Sequence, residues 1–143
     1  MSVATKLWSL NCEASKRSAV SRAYYAAFHE AKKWHSQLPE PGSCGDSRPG
    51  THEFLINQLA NPIGKTKKDK ALAAKSKELS SELERLRALR NFADYDINEN
   101  FDMSDHFALM VEVKDLLRSL GVSFAPPASP SLAPTTPAPS RIL

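Results

Sequence analysis

Apolar residues recur at steps of three and four in four separate stretches of this chain, the period of a helix with one buried face. The first stretch covers residues 3–37, with a break near Asn11, and within it Val20, Tyr24, Ala27, Ala31 and Trp34 form one stripe. Ala23, Ala26 and Ala27 give that helix a low-relief surface that a neighbouring helix can approach closely. Leu38-Pro39-Glu40-Pro41-Gly42 ends it, because proline supplies no backbone donor and glycine frees the turn. Residues 43–50 read as a loop. A short helix is expected over 51–60, with Thr51 as its N-cap and Phe54, Leu55 and Leu59 on one side, until Asn61-Pro62-Ile63-Gly64 breaks it. A third is expected over about 69–95 and a fourth over about 104–120. Asp102 or Ser104 would cap the fourth helix, Gly121 would stop it, and Met110, Val113, Leu117 and Leu120 would face inward.

Composition agrees with an all-α fold. Five glycines in 143 residues are too few for a hairpin-rich β-protein. Six of the ten prolines fall in the last 18 residues, where only Arg141 is charged. The expected organisation is therefore a helical bundle over 1–122, up-and-down, of four to five helices, followed by a disordered Pro/Ala/Ser-rich tail over 123–143. No run approaches a membrane span, and residues 1–10 lack the apolar core of a secretory signal, so a cytoplasmic protein is expected. Cys12 and Cys44 form no CxxC and no Cys/His cluster, which excludes a structural zinc site; no metal or cofactor is implied.

The charge is lopsided. Residues 1–93 carry 16 Lys/Arg against 9 Asp/Glu, whereas 94–143 carry 3 against 7. A chain close to neutral overall can in this way present a basic face to a phosphate backbone, or merely two ordinary solvated faces. Lys65, Lys67, Lys68 and Lys70 are the candidate nucleic-acid contacts, although no aromatic residue is interleaved with them.

The third helix holds the most informative misfit. Leu72, Leu79, Leu83, Leu86, Arg90 and Ala93 follow one stripe, so Arg90 stands where a leucine is expected. An arginine there must find partners, because burying it unpaired is costly. It either pairs with Asp94 one turn on and ties the helix, or lines a cleft and holds a phosphate. Tyr24, Tyr25 and Trp34 lie at helical spacing and read as core, with base stacking as the alternative. His29 reads as a packed histidine, and His106, near the start of the fourth helix, as a surface residue.

Two segments carry a resemblance. Residues 18–31, Ser-Ala-Val-Ser-Arg-Ala-Tyr-Tyr-Ala-Ala-Phe-His-Glu-Ala, look like the first long helix of the HEPN superfamily. Residues 86–96, Leu-Arg-Ala-Leu-Arg-Asn-Phe-Ala-Asp-Tyr-Asp, resemble its second signature in the RxxADY form. His52 sits where such proteins often carry a histidine before the short second helix. The resemblance covers roughly residues 10–120. It implies a bundle that homodimerises, and either an RNA-binding protein or metal-independent endoribonuclease of toxin–antitoxin or antiviral defence systems, or a non-catalytic module. The latter would bind a nucleotide or a partner such as a nucleotidyltransferase or an antitoxin. In the ribonuclease motif an arginine and a polar residue precede a histidine; Arg90 and Asn91 match the first two. The histidine position, five after the arginine, is Tyr95. Cleavage at a 2′-hydroxyl needs a proton acceptor and donor near neutral pH, which histidine supplies and tyrosine does not. By the resemblance, Arg90, Asn91, Asp94 and Tyr95 would form the cleft, with Asp94, His52 or His29 as the base.

Overall fold

The computed structural model describes residues 2–10, 12–44, 50–64 and 66–122. These residues form five helices: α1 Ser2–Ser9, α2 Glu13–His35, α3 Thr51–Ala60, α4 Lys67–Tyr95 and α5 Met103–Ser119, with no strand among the described residues. The chain is thus an all-α bundle. Lys65 and the tail at 123–143 lie outside the described residues. The break expected in the first stretch separates α1 from α2.

Helix α2 is the axis. It packs against α1, α4 and α5, while α3 lies mainly on α4. Its stripe explains this. Ala19, Val20, Ala23, Ala27 and Ala31 have no exposure at all, and Tyr24 has 1%. Alanines this small allow helix axes to approach closely. They meet the buried Leu79, Leu83, Leu86 and Ala93 of α4, and Leu109, Val113 and Leu117 of α5 complete the core. Ala23 and Ala27 are therefore used inside the bundle and are not a free face for a second copy.

Two serines on α4's inward face, Ser76 and Ser80, are buried because they have work with α3. Their hydroxyls donate to Leu59 O at 2.8 Å and to Ile56 O at 2.9 Å, pinning the last turns of α3 to α4.

The ends of the helices follow local chemistry. Gly50, not Thr51, is the N-cap of α3, and Thr51 is its first residue. Phe54 is 41% exposed rather than facing inward with Leu55 and Leu59; Ile56 takes the inward place, since successive helical residues turn by a fraction over a quarter circle. Helix α4 starts two residues before the expected position, because Thr66 and Asp69 form a reciprocal capping box: Asp69 N–H donates to Thr66 Oγ1 at 3.2 Å and Thr66 N–H to Asp69 Oδ2 at 2.7 Å. Asp102 caps α5 through Ser104 N–H at 2.8 Å. Gly121, at φ 85°, stops it as expected.

The corner between α4 and α5 is built on a buried cation. Arg17 of α2 is 7% exposed. Its Nη1 donates to Phe92 O, Ala93 O and Asp96 O at 3.2–3.3 Å, its Nη2 to Glu99 O at 2.9 Å, and its Nε to Glu13 Oε1 at 2.7 Å. One guanidinium thus ties the last turn of α4 to the turn that follows, at a helix end where the dipole also favours a positive charge. Phe101 stacks on it at 4.8 Å. His106, expected on the surface, is instead 4% exposed, stacked on Phe101 with ring centroids 3.9 Å apart. Its Nδ1 is held by Asp102 O.

Replacing Arg17 by Met should keep the volume but remove these charge-assisted bonds, costing about 2–4 kcal/mol. Urea unfolding with an unchanged slope would read it. A loss below about 0.5 kcal/mol would mean that water replaces the guanidinium freely.

Candidate functional site

Arg90 lies two turns before the corner that Arg17 holds, on the α4 face turned toward α2. Its side chain is 18% exposed, so it is neither in the core nor free in solvent. Asp94, one turn on, places Oδ2 2.7 Å from Arg90 Nε and also accepts Ser21 Oγ–H at 3.2 Å. The expected Arg90–Asp94 pair is therefore present. The carboxylate is off the line of the Nε–H bond, however, so that buried donor is left without an aligned acceptor among the described residues. Nη1 donates to Asn91 Oδ1 at 3.1 Å and Nη2 to Tyr25 Oη at 3.2 Å. The guanidinium lies 5.5 Å from the Tyr25 ring and 5.4 Å from the Tyr95 ring. Burial works against its charge, but Asp94, Tyr25 and Tyr95 outweigh burial and raise the pKa above the ordinary arginine value.

Helix α3 brings His52 to the same cluster. His52 is the second residue of α3, within the helix rather than before it. Its ring lies 4.3 Å from Phe28 and meets Tyr25 edge-on at 5.6 Å. Nδ1 is 2.8 Å from the hydroxyl of Tyr24. Burial pushes the Tyr24 phenol up to about 12, although Arg87 and Arg90 pull the other way. Burial first, then the charges of Arg90, Arg87 and His29, hold His52 below the ordinary histidine value of 6.5. Glu53, beside it, faces Arg87 at 3.8 Å. His29 is exposed.

Arg90, Asn91, Asp94, Tyr95 and His52 are thus brought together, with Ser21, Tyr24 and Tyr25 added by α2. The lysines are not part of this cluster. Lys70 is exposed near the start of α4, twenty positions from Arg90, or roughly 30 Å along the axis. Lys67 and Lys68 belong to the first turn of α4. A cavity of about 390 Å³ is lined by Leu38, Pro39, Ile63, Thr66, Asp69 and Leu72 among others, and by none of the predicted site residues. The Arg90 cluster lies at the surface, with Arg90 partly and Tyr95 largely exposed.

No candidate metal cluster of three or more His, Cys, Asp or Glu is present among the described residues. No described helix is long and apolar enough to cross a membrane. Compared with family models, curated proteins and solved structures, the chain matches none.

The electrostatics give a test by titration. A histidine whose folded pKa lies below its unfolded value takes up its proton more readily when unfolded. Its contribution to stability is full above about 6.5 and is lost as pH falls toward the lowered folded value. Nuclear magnetic resonance should place the His52 midpoint below 6.5, and Arg90→Gln should move it up by removing a nearby positive charge. A midpoint at or above 6.5, unmoved by Arg90→Gln, would separate the two residues electrically.

Proposed function

We propose that this chain is a HEPN-type protein that binds RNA through its phosphodiester backbone, in a toxin–antitoxin or antiviral defence setting. The observation that carries the reading is Arg90. Its guanidinium is partly shielded from water, hemmed by Tyr25 and Tyr95, held at Nε by Asp94, and still 18% exposed. Shielding strengthens its attraction for an anion, and a planar fork can grip two phosphate oxygens. Asp94 and Ser21 fix the guanidinium from behind, so little freedom is lost when an anion arrives. An open surface suits a segment of a polymer better than a small molecule, which a deep apolar pocket would take. Of the sequence expectations, the Arg90–Asn91–Asp94–Tyr95 grouping with His52 supports the family reading. Homodimerisation rests on the resemblance, since the alanine face is occupied internally.

Cleavage is the finer part of the proposal. Tyr95, at the motif's histidine position, is 68% exposed. That favours, as a second reading, a non-catalytic HEPN module that binds a nucleotide or a partner such as a nucleotidyltransferase or an antitoxin.

Fluorescence anisotropy with a labelled single-stranded oligoribonucleotide tests the reading. Arg90→Ala should weaken binding by about 10- to 100-fold with helicity unchanged, since the lost contacts are charge-assisted and alanine is a better helix former. Arg90→Lys should rescue poorly. Equal affinity in wild type and Arg90→Ala removes Arg90 from the site. If Tyr95→His creates or raises RNA cleavage, the cluster is a nuclease site that lacks its base.

A further inference from the structure

Beneath Arg90 lies a contact that the RNA reading does not use. Tyr24 is 1% exposed, and its hydroxyl has one polar neighbour among the described residues, His52 Nδ1 at 2.8 Å. Only two arrangements of protons satisfy that contact. Either Tyr24 O–H donates to a bare Nδ1, or Nδ1–H donates to the tyrosine oxygen. In the second case the phenol proton has nowhere to go, because no other acceptor is within reach and water has almost no access. Leaving such a buried donor unsatisfied costs about 1–3 kcal/mol. In the first case every group is satisfied, and the imidazole proton must sit on Nε2.

We propose that Tyr24 is a positioning residue that holds His52 in its Nε2-protonated tautomer, so that His52 meets a phosphodiester beside Arg90 as a hydrogen-bond donor and not as a base. The proposal rests on the RNA reading for its ligand, but its proton placement stands on the Tyr24–His52 geometry alone. A base needs a lone pair directed at the 2′-hydroxyl, and in this tautomer the lone pair of His52 is taken by Tyr24. The cations around His52 agree with a neutral ring: Arg87 and Arg90 come from α4 and His29 from α2, while Glu53 of its own helix is drawn to Arg87. Nε2 makes no hydrogen bond among the described residues and is not a buried atom, so it is available to an incoming oxygen. Arg90 and His52 would then hold one phosphodiester from two sides and leave it intact. Tyr24 reaches the ligand only through His52.

The direct test is the nitrogen-15 spectrum of the imidazole ring in the full chain, at about pH 7.5 where a histidine of lowered pKa is neutral. The expected result is an unprotonated Nδ1 and a protonated Nε2 in wild type. In Tyr24→Phe the two tautomers should mix, and the titration midpoint should rise because the bond that favoured the neutral ring is gone. A protonated Nδ1 in wild type, or an unchanged tautomer in Tyr24→Phe, overturns the proposal. Circular dichroism reports whether Tyr24→Phe folds; if it does not, the wild-type spectrum decides alone. Binding of the single-stranded oligoribonucleotide supplies the second readout. His52→Gln, whose amide can donate, should keep at least about threefold more affinity than His52→Leu. Equal loss in both variants overturns the donor role. Absence of RNA binding by wild type overturns the RNA reading instead, and the tautomer is still decided by the spectrum.

Discussion

A buried guanidinium at the meeting point of α2, α4 and α5 sets the geometry of everything near the candidate site. Helix α4 ends at Tyr95, and the carbonyls of Phe92 and Ala93 in its last turn lie within reach of α2. Arg17 meets them from α2, and it also holds Asp96 O and Glu99 O in the turn that follows. The end of α4 is thereby fastened at a defined height against α2. Asp94 and Tyr95, within that last turn, inherit their positions from this bond set. The Ser21–Asp94 contact, one turn further along α2 from Arg17, shows the same register. Without Arg17 the α4 terminus would fray, as unsatisfied helix ends do, and Arg90 would lose the partner that orients it.

Arg17 and Arg90 occupy the same seam and differ in how far their guanidinium groups are enclosed. Both lie among apolar residues, both pair with a carboxylate four positions away on their own helix, and both lie against aromatic rings. Arg17 has acceptors on Nε, Nη1 and Nη2, most of them backbone carbonyls, and is nearly inaccessible. Arg90 is fenced by side chains, has the Asp94 carboxylate 2.7 Å from its Nε, and remains partly open to solvent. A cation enclosed by backbone carbonyls holds a fold together; one that keeps part of its guanidinium at the surface is the better candidate for an anion.

Much of this was legible in the sequence, and the rest was hidden for identifiable reasons. The leucine stripe of α4 exposes Arg90 as a misfit because the helical period is strong there, and Asp94 follows from the four-residue spacing. Arg17 stands three residues before Val20 and seven before Tyr24, the same kind of misfit, but it falls where the stripe begins and has no leucine behind it to betray it. Tyr25 reaches Arg90 across 65 positions and Ser21 reaches Asp94 across 73, relations that periodicity within α4 cannot carry. The Ser76 and Ser80 contacts with α3 are equally non-local. His52 entered through resemblance to a family, whereas its bond to Tyr24 depends on how α3 docks. His106 read as surface because polar type is a weak guide to burial when two aromatic rings can cover an imidazole.

Of the two guanidinium groups in this seam, Arg90 is the one proposed to meet an anion, and Arg17 is enclosed. Arginine Nε–H resonances separate them in a single titration of the full chain, with inorganic phosphate and then a short single-stranded oligoribonucleotide as the probes. The Arg90 signal, whose Nε faces Asp94, should shift progressively and saturate with the oligoribonucleotide, while the Arg17 signal, bonded to Glu13, stays where it is. Movement of both signals together, or of neither, would contradict it.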